Sequence, residues 1–117
     1  MLRLAADADV NGDIIRGLRR RLPELDLLRV QDALPARTLD PAVLAWAAAA
    51  GRVLITNDRN TMIGHAVERV ARGEPMPGLI ATTSAQSVGR AIDDIELVAT
   101  LMSADEVRDQ VVIFLPL

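Results

Sequence analysis

Short apolar, β-branched runs that alternate with amphipathic helical segments predict an α/β protein: a three-layer α/β/α sandwich on a mainly parallel sheet of four to five strands. Two further observations agree. The chain has 117 residues, half of them apolar, so residues 1–117 are expected to form a single domain with a sizeable core. Aromatic residues amount to 2%, Trp46 and Phe114 alone, which leaves Ala, Leu, Val and Ile to fill a core of helices packed on a parallel sheet.

The elements can be read in order. Leu2 to Ala6 is a short apolar run before Asp7, and Val10, Ile14, Ile15, Leu18 and Leu22 then recur at helical spacing until Pro23. Leu25 to Val30 reads as a second strand, followed by a loop containing Pro35. Asp40-Pro41 opens the next helix with an acidic N-cap and a proline in the first turn, and Gly51 closes it. Val53 to Thr56 is a third strand that stops at Asn57-Asp58. Met62, Ile63, Ala66, Val67 and Val70 mark a helix ending near Gly73, and Glu74 to Gly78 is a proline-fixed turn into a fourth strand, Leu79 to Thr82. Ser84 or Ser87 caps one long helix with Val88, Ile92, Ile95, Val98, Leu101 and Met102 inward, and Val111 to Leu115 is a last strand. This alternation implies right-handed crossovers, with function gathered at the carboxyl ends of the strands.

Composition removes several chemistries. There is no cysteine, hence no disulfide, thiolate metal site or Cys nucleophile. All thirteen basic residues are arginine, which excludes a phosphate-loop lysine, a Schiff base and the lysine of a phosphoacceptor receiver. A net charge of −3 argues against broad nucleic-acid binding through the chain's own charge but leaves a metal-bridged substrate open. The opening residues carry no signal-peptide pattern and no apolar run approaches the ~20 residues that span a bilayer, so a cytoplasmic protein without membrane association is expected.

Aspartates dominate the candidate site. Asp7 and Asp9 follow the first strand and Asp58 the third, while Asp40 starts a helix that must run antiparallel to the sheet to feed that third strand. All therefore fall at the carboxyl edge. Clustered carboxylates repel one another unless a cation is present, and an all-oxygen donor set points to Mg²⁺ or Mn²⁺, which can activate water for attack on a phosphodiester. Each aspartate taken alone is more often a helix cap than a ligand. Three from separate segments on one rim favour a site.

The string DPAVLAWAAAAGRVLITND, Asp40 to Asp58, resembles the PIN-domain pattern of an acidic residue opening an Ala-rich helix, a glycine, and an apolar strand ending in Thr-x-Asp. LAADADV resembles the first PIN strand with its terminal aspartate. Asn60-Thr61-Met62, Glu68-Arg69-Val70, Met76-Pro77-Gly78 and Val111 to Pro116 extend the likeness to short bacterial PIN-like proteins over nearly the whole chain. The resemblance implies a metal-dependent endoribonuclease, often the toxin of a toxin–antitoxin pair, with an RNA substrate and an antitoxin or homodimer partner. By it, Asp7, Asp40 and Asp58 are the catalytic metal ligands, with Asp9 as an additional candidate. Many relatives carry an acidic residue where this chain has Asn60 and a Glu where it has Ala8; Asp9 is placed to compensate for the latter.

Other residues have humbler readings. Asn11, Thr56 and Asn60 are candidates to orient the carboxylates. Arg16, Arg19, Arg20 and Arg21 form a basic cluster that could meet phosphate, although cations near a helix C-terminus are favoured in any case. His65 lies seven residues beyond Asp58 and is expected at the surface or half-buried. Asp94 is expected to be solvated, with Asp93 a remote fourth ligand. Two rival functions remain: a non-catalytic PIN-like module that binds a protein or RNA, with the aspartates as caps, and a phosphoacceptor receiver, which the missing lysine disfavours.

Overall fold

The computed structural model describes all 117 residues. The first half runs β1 (Leu4–Ala6), α1 (Gly12–Arg21), β2 (Leu27–Arg29), α2 (Val30–Ala33), α3 (Asp40–Ala49) and β3 (Val53–Thr56). The second runs α4 (Thr61–Ala71), β4 (Leu79–Ala81), α5 (Val88–Leu101), α6 (Ala104–Gln110) and β5 (Val112–Phe114). The five strands form one all-parallel sheet in the order β2-β1-β3-β4-β5, with Leu4 opposite both Leu27 and Val53, and Ile80 opposite both Ile55 and Ile113.

Period-two alternation along the strands feeds two cores. Leu4, Ala6, Val53, Ile55, Ile80 and Ile113 pack with Ile14, Ile15 and Leu18 of α1 and Ile92, Ile95 and Val98 of α5. Ala5, Leu54 and Leu79 pack on the other side with Val43 and Leu44 of α3 and Met62 and Ala66 of α4. The expected three layers result. No helix is long and apolar enough to cross a membrane.

The chain leaves β1 for β2 in one direction and returns past β1 to β3 in the other, so the switch point lies between β1 and β3. The crossovers through α1, α3 and α4 share one hand. The step from β4 to β5 does not: it moves in the same direction as the step from β3 to β4, but α5 packs on the face opposite α4. The expectation of uniformly right-handed connections therefore fails at α5. On that face Gly17 lets α1 take Ile92 of α5 against its backbone, where a Cβ would overlap Ile92 Cδ1. As a consequence, the N-termini of α1 and α5 stand on the same face of the carboxyl edge.

Two local expectations change, at Val30 and Asp40. Val30, expected in a strand, opens the short helix α2. Asp40 is the first residue of α3 rather than its N-cap; Leu39 holds that position and no side chain caps the helix. The long helix ends at Leu101 with Met102 as its C-cap, as expected, and Ser103 with Glu106 forms a capping box that starts α6, a helix the apolar spacing did not mark. Of the two serines, Ser87 is the cap of α5, accepting from the Arg90 amide.

At the amino edge, Arg52 is 6% exposed, and its Nη1 donates to the Leu4 carbonyl at 3.0 Å and to Asp26 Oδ1 at 2.8 Å. The hydrogen bond from Arg52 holds the Asp26 carboxyl below its usual value.

Candidate functional site

Asp7 sits at the carboxyl end of β1, beside the switch point. Its backbone amide still belongs to the sheet, donating to the Ile55 carbonyl at 2.8 Å, so the residue is fixed where the strand ends. Its side chain is half-buried. Oδ1 accepts from the Ala8 amide at 2.9 Å and Oδ2 from the Thr56 hydroxyl at 3.2 Å. Burial, foremost, and then the negative charges of Asp9 and Asp40 push the Asp7 carboxyl above its ordinary value, against the opposing effect of those two hydrogen bonds. Asp7, Asp9 and Asp40 thus share one electrostatic neighbourhood.

Asp9 is exposed, and its Oδ1 accepts from the Asn57 amide at 3.0 Å, which ties the loop after β1 to the end of β3. Asp58 is engaged differently. Its carboxylate accepts from the amides of Asn60 and Thr61, both at 2.9 Å, and of Met62 at 3.3 Å, wrapping the start of α4. That is a helix-capping role, filling amides that have no partner within the helix. No group of three or more His, Cys, Asp or Glu side chains stands close enough together to hold a metal ion. The expected trio of Asp7, Asp40 and Asp58 is therefore not gathered into one ligand shell in this conformation.

The residues expected to orient the carboxylates divide. Thr56 is buried and joins two of the aspartates, donating to Asp7 and accepting from the Asp58 amide at 3.1 Å. Asn11 instead caps α1, its Oδ1 accepting from the Asp13 amide at 2.9 Å. Asn60 is exposed and offers only its backbone amide to Asp58.

The basic cluster is not brought to this edge. Arg19, Arg20 and Arg21 occupy the last turn of α1, at the amino end of the sheet; Arg19 donates to the carbonyl of Leu27 and Arg21 pairs with Asp93 and Glu96. Arg16 pairs with Asp13 one turn earlier. Asp93 is thereby occupied far from Asp7. Asp94 is not merely solvated but accepts from Gln86 at 2.6 Å and from the Leu117 amide at 3.1 Å. His65 lies on α4, 3.9 Å from Glu68.

Two rim residues carried no signal in the sequence. Asn57 Oδ1 accepts from the Thr82 hydroxyl at 2.9 Å and its Nδ2 donates to Ser84 at 3.4 Å, so one side chain links the ends of β3 and β4. Arg59 donates to the carbonyls of Ala81 at 3.2 Å and Leu115 at 3.1 Å, and stands 5.1 Å from the centre of the Phe114 ring. Only the Asn-Asp-Arg punctuation after an apolar strand marked this turn, and which strand ends it joins is a matter of long-range pairing.

In chemical terms, the rim offers an oxygen-only acidic surface at a topological switch point, with one carboxyl held partly out of water. When compared with known proteins, the chain matches no family profile, no curated protein and no solved structure.

Proposed function

We propose that this chain is a cytoplasmic PIN-like endoribonuclease dependent on Mg²⁺ or Mn²⁺, centred on Asp7. The observation that carries the proposal is the state of Asp7, a half-buried carboxyl at the switch point raised by burial and by Asp9 and Asp40. Carboxyls perturbed by burial and like charge gather at functional sites, and a bound cation would relieve the repulsion.

The donor set fits a hard cation of modest demands. Mg²⁺ is commonly held by one or two carboxylates while water and substrate phosphates fill the rest of its shell, so Asp7 with Asp9 or Asp40 suffices. When bound, such a cation neutralises phosphodiester charge and lowers the pKa of the attacking water. The chain's own residues do the positioning: Thr56 fixes Asp7 Oδ2, Asn57 fixes Asp9, and Asp58 holds the first turn of α4 against the rim. The same reading makes RNA the substrate and an antitoxin, or a second copy of the chain, the partner.

A second reading, a non-catalytic PIN-like module, is favoured by one observation. Asp58 already spends both oxygens on α4. Calorimetric titration of Mn²⁺ into the wild type, Asp7→Asn and Asp58→Asn, with cleavage of a mixed RNA followed in the same buffer, separates the two. The nuclease reading expects wild-type binding and cleavage that both disappear in Asp7→Asn; a wild type that binds no Mn²⁺ supports the module instead.

A further inference from the structure

Next to the aspartates, the ends of β1, β3 and β4 and the starts of α1 and α5 enclose a cleft of about 570 Å³, within the size range of small-molecule sites. Its wall includes Asp9, Asn11, Asn57, Thr82, Ser84 and Gln86, with Ile14 and Val88 the only aliphatic residues larger than alanine. We propose that this cleft receives the base and sugar of one nucleoside of the RNA, adjoining the phosphate at Asp7. The proposal rests on the nuclease reading.

Three features select a neutral, hydrogen-bonding ring. First, the wall is braced: Asn57 is held through Asp9, Thr82 and Ser84, so its polar groups are set before a ligand arrives. Second, an anion is disfavoured, because no arginine lines the cleft and its single charge is Asp9. The two helix N-termini do not reverse this, since the side chains of Asn11 and Ser87 already accept from amides of their first turns. Third, an apolar ligand would leave Gln86 Oε1, buried without a hydrogen-bond partner, unsatisfied. A nucleoside supplies a donor for it and a flat face for Ile14 and Val88.

The test is an amide-resolved NMR titration of the full chain, free of metal, with adenosine, guanosine, cytidine and uridine in turn and D-ribose as the control. At least one nucleoside is expected to move the amides of Asn57, Ser84 and Gln86. Ser84→Leu, an exposed position that would project bulk into the cleft, is expected to weaken that binding about tenfold or more. Thr83→Leu on the same wall provides an independent variant. Absence of shifts with all four nucleosides overturns the proposal, as does unchanged affinity in both folded variants or equal binding of D-ribose. Mn²⁺ binding measured on the same samples distinguishes the failures: loss of nucleoside binding alone removes the cleft assignment, and loss of Mn²⁺ binding alone removes the nuclease reading.

Discussion

The Thr56 hydroxyl donates to Asp7 Oδ2 at 3.2 Å while accepting from the Asp58 amide at 3.1 Å, so one buried side chain couples the carboxylate after β1 to the turn after β3. Thr56→Val keeps the shape and removes the coupling. If the rim binds a cation, that substitution should weaken Mn²⁺ binding on the order of 10–100-fold, as loss of a carboxylate's orienting partner does. Calorimetry on the two proteins checks it, and equal affinities would deny Thr56 a role in the site.

Asp7 should cost the fold stability at neutral pH. Its folded pKa is raised, chiefly by burial, so the folded state binds more protons than the unfolded one between the ordinary carboxylate value and the raised one. Stability is then lost as pH rises through the folded pKa. Asp7→Asn, which keeps an acceptor for the Ala8 amide but loses the one for the Thr56 hydroxyl, is expected to be more stable relative to the wild type near neutral pH than in acid. That advantage should vanish below about pH 3, where the carboxyl is largely protonated in both states. Thermal melts across pH, without divalent ions, provide the comparison.

Asp58 is predicted to matter first as a cap. Asp58→Ala leaves the amides of Asn60, Thr61 and Met62 without their acceptor and should cost about 0.5–2 kcal/mol, whereas Asp58→Asn retains a cap oxygen and should cost less. Urea unfolding of both variants measures the difference. Equal losses would mean that charge, not capping, is what Asp58 provides.

The seating of α5 on α1 can be tested at Gly17. A Cβ there would overlap Ile92 Cδ1 and stand 3.1 Å from Cγ1, so Gly17→Ala should cost about 1–3 kcal/mol. Ile92→Val removes the overlapping methyl group. The double variant should therefore be less destabilised than the sum of the two single changes.

Arg52 anchors the opposite edge. Arg52→Met leaves the buried Leu4 carbonyl without that donor, at an expected cost of about 1–3 kcal/mol. Asp26, lowered mainly by its bond to Arg52, contributes stability above the ordinary carboxylate range and loses it as pH falls through its folded pKa. In Arg52→Met that acid-side dependence should flatten.

How much of this was legible in the sequence depends on range. The strand–helix alternation and the edge on which Asp7 and Asp58 fall follow from apolar runs and punctuation, and the five-stranded sheet carries both as expected. Local chemistry was sometimes present without apolar periodicity to go with it: Ser103 and Glu106 spell a capping box, but α6 is short and buries only Val107, so no repeat of apolar residues marks it. Val30 favours a strand by its branching and is helical because Leu34 closes a turn back onto its carbonyl. The face taken by α5 and the bridging role of Asn57 lie beyond such reading. Both depend on which distant segments meet, and neither Gly17 nor Asn57 names its partner.

The central claim is that the Asp7 rim binds a divalent cation, and the most direct measurement is the Asp7 carboxyl titration followed by ¹³C NMR with and without Mg²⁺. The account predicts a pKa above the ordinary carboxylate value in the absence of metal and a marked fall when Mg²⁺ is added, since a bound cation favours the ionised form. A titration curve that Mg²⁺ leaves unmoved at saturating millimolar concentration would contradict it.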